Sequence, residues 1–443
     1  MPHNRPETLA LRHLREKERQ ETPGPFGASS HRSSFASRPL TRLGFLFNHE
    51  QSHQIPHVAP IINAATEICS SVVADVFVND FSQMRFIQSF ITGTGGSRIS
   101  FHLIPFTPAS KVMEYLTGKA IPLRRLMALY KHRTDFADLD ALVVPETTSL
   151  FLKTHFGVPN LKLVYTQHGA GDRAIGFARK IGKFDFVFVP GTKIRDRMIS
   201  EGILRDGQYG IVGYPKFDGI DLTRKPKLFL KKRPTVLYNP HFHPTLSSWY
   251  KHGLQVLEYF ANQDRYNLIF APHVMLFSRK LHASSNPYAL KYRFDIPERF
   301  YHSPKIHIDV GSRASMDMTY TLAADLYLGD VSSQVYEFLN TPKPCIFLNS
   351  HSVSWENDAN YRHWQLGKVI GSPQGLPQVL ADLGWHTPEM QQDQKDAFRT
   401  TFGVDVKGGA RRAAEALLAF VGVHGFTAEP EGQQPTGEDQ HAR

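Results

Sequence analysis

A histidine followed by glycine at the end of an apolar run holds an imidazole edge open at a strand terminus. The stretch Leu161-Lys-Leu-Val-Tyr-Thr-Gln-His-Gly-Ala-Gly-Asp172 has this form. His168 closes the run, and Gly169 and Gly171 let backbone approach a ligand closely. A general base belongs at such a place in an open α/β sheet. A second anchor is Leu326-Tyr-Leu-Gly-Asp-Val-Ser-Ser-Gln-Val-Tyr-Glu-Phe-Leu339. Here a strand stops at Gly329-Asp330 and a helix begins near Ser332, with Val335, Phe338 and Leu339 on its apolar face. Free N–H groups at a helix start, with the hydroxyls of Ser332 and Ser333, make a phosphate site, and Asp330 or Ser332 alone would serve as an N-cap.

Other strand ends carry polar residues too. Asn267-Leu-Ile-Phe-Ala-Pro-His273 ends in an imidazole suited to donate to a phosphoryl oxygen. His241 and His243 alternate along an extended segment and would chelate a metal only if a turn brought both inward, and no metal site is expected. Phe45-Leu-Phe-Asn-His-Glu-Gln-Ser-His53 offers His49 and Glu50 as acceptor contacts, and Glu146 follows another strand in the same way.

These residues need strands that end on one side of a sheet, and the pattern supplies them. Short apolar runs at 44–47, 73–78, 99–104, 141–144, 161–165 and 184–189 alternate with segments of helical period. A second series follows at 235–238, 267–270, 305–308, 325–328 and 344–348. This is the grammar of parallel sheets covered by helices on both faces. Val58, Ile61, Ile62, Ala65 and Ile68 recur on one helical face, as do Leu254, Leu257 and Phe260. Charged DLTRKPKLFLKKRPT separates the two series, so the expected organisation is an extension over 1–40, a first lobe over 41–222, a second lobe over 223–425 and an acidic tail over 426–443. Two doubly wound α/β lobes would face a central cleft.

Composition narrows the function classes. The 443 residues carry 51 Lys+Arg against 41 Asp+Glu, a formal charge of +10, which favours anionic partners without choosing among them. With 22 histidines, binding of anions is expected to strengthen on mild acidification. Only two cysteines, Cys69 and Cys345, exclude a disulfide scaffold or cysteine-rich zinc module, fit a reducing compartment, and are expected in the core. No apolar run is long enough to span a bilayer, so a cytoplasmic protein is expected. Residues 121–133 place Leu123, Leu126, Met127 and Tyr130 on one face among Arg124, Arg125, Lys131 and Arg133, a pattern that either packs into the body or lies on an anionic membrane surface. No zinc finger, RNA-recognition signature or basic helical repeat is present, so nucleic acid is not an expected partner.

The Gln167-His168-Gly169 turn, the Ala271-Pro272-His273 strand end, and Gly329-Asp330-Val331-Ser332-Ser333 followed by Glu337-Phe338-Leu339-Asn340 and Lys343-Pro344-Cys345-Ile346-Phe347 together resemble the CDP-glycerol glycerophosphotransferase family of teichoic-acid and capsule synthesis. Gly329, Val331 and Gln167 depart from that family's usual residues. The resemblance implies a GT-B fold, with His168 as the base for an acceptor hydroxyl and His273 on the donor phosphates. It implies that Ser332 and Ser333 bind the pyrophosphate in a loop shaped by Asp330, with Gly169 and Glu337 completing the donor set. It further implies a CDP-activated donor as substrate, no cofactor or metal, a glycan or lipid-linked acceptor, and a place at the inner face of the cell membrane. A glycosyltransferase or UDP-sugar 2-epimerase on the same fold, and a non-catalytic basic anion-binding protein, are the competing readings.

Overall fold

The computed structural model describes residues 40–49, 52–107, 122–285 and 287–424. The expected extension and acidic tail, Glu50 and Ile121 lie outside the described residues. All eleven apolar runs form strands. β1 (Thr41–Phe47), β2 (Val72–Val78), β3 (Ile99–Leu103), β4 (Ala141–Val144), β5 (Leu163–Thr166), β6 (Phe186–Val189) and β7 (Tyr209–Ile211) make a parallel sheet in the order β3-β2-β1-β4-β5-β6-β7. The second sheet follows from β8 (Thr235–Asn239), β9 (Asn267–Phe270), β12 (Ile306–Ile308), β13 (Leu326–Gly329), β14 (Cys345–Leu348) and β15 (Lys368–Ile370). Its order is β12-β9-β8-β13-β14-β15, again all parallel. An antiparallel hairpin, β10 (Leu281–Ser285) with β11 (Tyr288–Tyr292), stands apart.

The central strands read as continuous apolar runs because both of their faces are covered. Leu142, Val143 and Val144 of β4 are all buried, as are Leu326, Tyr327 and Leu328 of β13, so alternation gives way to uniform hydrophobicity. One core packs on each face of each sheet. The helix Ile55–Ile68 lays Val58, Ile61, Ile62 and Ala65 into the first, as the spacing predicts. Helix Trp249–Ala261 lays Val256, Leu257 and Phe260 into another.

Both strand orders reverse beside the first strand of the lobe, between β1 and β4 and between β8 and β13. Loops leaving the carboxyl ends of these strands diverge there, which leaves a crevice for a ligand. The two sheets belong to one compact unit. Ala170, Tyr214 and Phe217 from the first lobe and the segment after it share a core with Tyr327, Val335 and Phe338 of the second.

Two sequence expectations need correction. The second lobe does not keep the whole of the stretch over 223–425. Helix Gly409–Val421 returns to the first lobe, burying Ala413, Ala414, Leu417 and Leu418 against helix Ile55–Ile68. Its apolar stripe has no mark of which lobe it serves, so sequence order misassigned it. Cys345 is fully buried in β14, but Cys69 ends a helix and is only half-buried. Helix Leu123–Lys131 buries Ala128 and Leu129, while Met127 and Tyr130 face outward at 37% and 53% exposure.

Candidate active site between the lobes

The first lobe presents two imidazoles, one with its tautomer set by backbone and one facing a guanidinium. His168 follows β5, and its Nδ1 lies 3.1 Å from the carbonyl oxygen of Pro145, the residue after β4. A carbonyl only accepts, so Nδ1 carries the proton and Nε2 presents a lone pair. Burial lowers the His168 pKa below the ordinary histidine value, against the raising effect of that hydrogen bond. His49 follows β1, with Nε2 3.2 Å from Nη1 of Arg125. Burial first, then Arg125 and His168, push its pKa down to about 3.

The second lobe answers with the opposite tautomer. His273, just beyond β9, accepts the Met275 N–H on Nδ1 at 3.2 Å, so its ring proton sits on Nε2 as a donor. Burial, Arg173 and His168 lower its pKa to about 4. His241 lies after β8, with its ring centroid 5.2 Å from that of His273.

Ser333 is where the lobes touch. A Cβ placed on Gly169 would lie 3.2 Å from the Ser333 hydroxyl oxygen, and one on Gly171 would lie 3.0 Å from the Ser333 Cβ. Close approach across the lobe boundary therefore favours glycine at both positions, since any side chain would press on Ser333. No described residue hydrogen-bonds the Ser333 hydroxyl, which faces the first lobe. Ser332 turns the other way: its hydroxyl accepts the Gln334 N–H at 3.3 Å and reaches the Tyr327 hydroxyl inside the second lobe. The helix that follows spans only Gln334–Phe338, shorter than the apolar pattern suggests, so the hydroxyls matter more here than the helix dipole.

The expected carboxylates serve the frame. Asp330 Oδ1 accepts the N–H groups of His241 and Val331 at 2.9 and 2.6 Å, and Oδ2 accepts from the N–H and hydroxyl of Ser248 at 2.6 and 2.8 Å. Burial raises its pKa, while those bonds oppose the shift. Glu337, expected among the donor contacts, instead places its oxygens 2.8 and 2.7 Å from Lys216 Nζ, with the Tyr214 hydroxyl at 3.1 Å. Glu146, expected to face an acceptor, accepts from Thr148 and Ser149 in its own loop, and Arg125 stands 3.9 Å away. Both corrections have one cause: a buried carboxylate must be satisfied by donors, and the nearest donors here are protein groups.

Several residues at the boundary went unrecognised in the sequence. His53 places its ring centroid 5.6 Å from His168 and 6.2 Å from His273, bridging the lobes. Asp172 joins Lys193 (3.1 Å) of the first lobe to the Tyr336 hydroxyl (2.7 Å) and His363 Nδ1 (3.0 Å) of the second. Lys193 Nζ also sits 3.3 Å from the Tyr336 ring centroid. Burial pulls the Lys193 ammonium down to about 8, with Asp172 opposing, and Lys193 and His363 hold the Asp172 carboxyl well below the usual carboxylate range despite its burial. His53 ends the polar run that begins at Asn48, a signal that sequence carried without a partner to confirm it. Asp172 closes the His168 stretch with nothing there to mark its partners, and Lys193 and Lys216 lie in no motif.

The cleft thus holds imidazoles and cations, while Asp172, Asp330 and Glu337 are consumed by structural contacts. A ligand bearing negative charge meets donors there. The sequence expectation that mild acid charges the histidines needs revision, because burial lowers the pKa of His49, His53, His168, His241 and His273, and neighbouring positive charge adds to this at all of them but His168. Among the described residues, no group of three or more His, Cys, Asp or Glu side chains is arranged to hold a metal ion.

A separate apolar cavity of about 470 Å³ opens on the first lobe, between helix Leu123–Lys131 and Phe151, His155 and Phe156. No helix among the described residues is long and apolar enough to cross a membrane.

Two parallel sheets of this order, each ending its central strands at a shared crevice, define a GT-B-like protein. No family profile and no curated protein matches the chain. Solved structures do. A putative UDP-N-acetylglucosamine 2-epimerase from Listeria monocytogenes has a TM-score of 0.55 at 12% identity, covering 88% of this chain and 99% of its own. The S. aureus MnaA–UDP co-structure has a TM-score of 0.55 at 12% identity, covering 87% and 98%. The wall teichoic acid polymerase TagF, soaked with CDPG, has a TM-score of 0.53 at 14% identity, covering 87% and 88%. At these identities the likeness establishes the fold.

Proposed function

We propose that the protein is a transferase that moves a polyol phosphate from a CDP-activated donor to a hydroxyl of a glycan or lipid-linked acceptor. The observation that carries this reading is the complementary pair of tautomers: a lone pair on His168 Nε2 from one lobe and a proton on His273 Nε2 from the other. In the reaction, the acceptor oxygen attacks the phosphorus that bears the polyol as its proton passes to His168 Nε2. The bond from that phosphorus to the bridging oxygen breaks, and CMP leaves with the electron pair. His273 Nε2–H and the Ser333 hydroxyl donate to phosphate oxygens on which charge accumulates. No resident cofactor or metal enters this scheme. On this reading the acceptor arrives from the first lobe, and helix Leu123–Lys131 with its apolar cavity meets the inner face of the cell membrane, where a lipid-linked acceptor is held.

A second reading has a specific observation behind it. The epimerase-titled likeness from Listeria monocytogenes is covered over 99% of its length, and the MnaA likeness, covered over 98%, was solved with UDP. UDP-sugar epimerisation or glycosyl transfer is therefore the alternative. Product analysis separates the readings. CDP-glycerol with a hydroxyl acceptor should release CMP, and His168→Ala should abolish release while leaving donor affinity largely intact. Conversion of a UDP-sugar without CMP release from any CDP-polyol, or undiminished turnover in His168→Ala, would overturn the proposal.

A further inference from the structure

His241 has two donors against its ring. The His243 N–H donates to its Nδ1 at 3.0 Å, so Nδ1 presents a lone pair and the proton of the neutral ring sits on Nε2. Opposite Nε2, at 3.1 Å, is Nη1 of Arg173, a group that only donates. Two N–H groups therefore face each other across the lobe boundary. The ring cannot turn away: its own main-chain N–H is held by Asp330 Oδ1, the ring of Phe242 stacks on it with centroids 4.5 Å apart, and the residue is 5% exposed. Exchanging the two edges of the ring would present carbon to both N–H groups and satisfy neither. The nearby carboxylate of Asp330 is occupied by His241, Val331 and Ser248.

What both donors lack is one acceptor, and an anionic oxygen seated beside the pair, within reach of both, would supply it. His273, whose Nε2–H is a further donor, lies one ring away. Arg173 belongs to the loop of His168 in the first lobe, and His241 to the loop after β8 in the second, so an acceptor here ties the two lobes together. We infer that Arg173 and His241 form a clamp for a diphosphate group, the guanidinium reaching across from the acceptor side. This rests on the proposed nucleotide-donor reading for the source of the diphosphate, and it adds two residues that the motifs do not mark for this role.

The test titrates the full chain by calorimetry with inorganic pyrophosphate, CDP, UDP, cytidine and uridine, comparing the natural protein with Arg173→Gln. The expected result is at least a tenfold loss of affinity for diphosphates, no change for the nucleosides, and no fall in the unliganded melting temperature, since one of two opposed donors has been removed. His241→Asn, read against its own melting temperature, should reproduce the selective loss. Retained diphosphate affinity in Arg173→Gln while CDP or UDP binds the natural protein overturns the clamp and leaves the donor reading standing. An Arg173-dependent pyrophosphate site that takes neither CDP nor UDP keeps the clamp and removes that reading. A lower melting temperature in Arg173→Gln with unchanged binding would mark the contact as an ordinary structural bond and overturn the inference. Absence of binding by every diphosphate overturns both.

Discussion

Glu337 offers a direct contest between what a motif suggests and what a buried contact does. Its carboxylate and the Lys216 ammonium are 2.7 Å apart, and the two residues are each 5% exposed. Glu337→Gln keeps the shape and an acceptor for Tyr214 but leaves the Lys216 charge buried without its partner. Breaking a buried pair from one side costs about 3–5 kcal/mol. With an unfolding entropy near 2.1 cal/mol/K per residue, roughly 0.8 kcal/mol/K for a folded body of this size, the melting temperature should fall by about 4–6 °C. Lys216→Met should cost a similar amount, because it strands the carboxylate. The double variant should lie closer to the natural protein than the sum of the singles, with a coupling of about 2 kcal/mol or more. Scanning calorimetry of the four proteins reads the stability, and titration with CDP and UDP reads the site. Additive losses, or an unshifted melting temperature in Glu337→Gln together with weakened nucleotide binding, would refute the brace and restore Glu337 as a donor contact.

Three further outcomes are expected. The His49 and His273 pKa values, about 3 and about 4 in the folded chain, lie below the unfolded value near 6.5, so on acidification the unfolded state binds protons first. Stability should hold above pH 6.5 and decline toward pH 4, by at most about 1.4 kcal/mol per pH unit for each such histidine; a flat melting temperature over that window would contradict the neutral cleft. Ser333→Ala should weaken CDP or UDP binding by about tenfold or more, the worth of one hydrogen bond to a charged group, whereas Ser332→Ala should leave affinity in place. The reverse ranking by calorimetry would exchange their roles. Met127→Asp and Tyr130→Asp should each lower co-sedimentation with vesicles rich in anionic lipid while leaving nucleotide binding unchanged, and equal sedimentation of natural and variant proteins would remove that surface from consideration.

The strands were legible because each is a local object. β1 through β6 and the central strands of the second sheet are apolar runs of the right length, ended by residues that stop a strand, and the charged pause falls between β7 of one sheet and β8 of the other. β7, β15 and the β10–β11 hairpin were missed because they are short or half-exposed: Tyr288, Leu290 and Tyr292 face solvent and leave no core pattern. The final helix was assigned by sequence order, while its packing follows the apolar stripe of a helix more than 300 residues earlier in the chain.

The site divides along the same line. The strand-end positions of His168, His273 and the paired serines were legible because a strand end and the polar residues after it are contiguous, and a contiguous segment can be read. Which partner each group takes was not legible, since the deciding contacts span the chain: Tyr336 to Asp172 over 164 residues, Lys216 to Glu337 over 121, Arg173 to His241 over 68. A carboxylate in a motif can be a ligand contact or a brace, and only the donors that fold places around it decide which. Glu146, Asp330 and Glu337 became frame because backbone, serine and lysine donors reached them first. His168 and Ser333 face the boundary with a lone pair and a hydroxyl that no described protein group takes up. Unspent hydrogen-bonding capacity at the lobe boundary, more than the identity of the residues that line it, is therefore what singles out His168 and Ser333 for the proposed reaction.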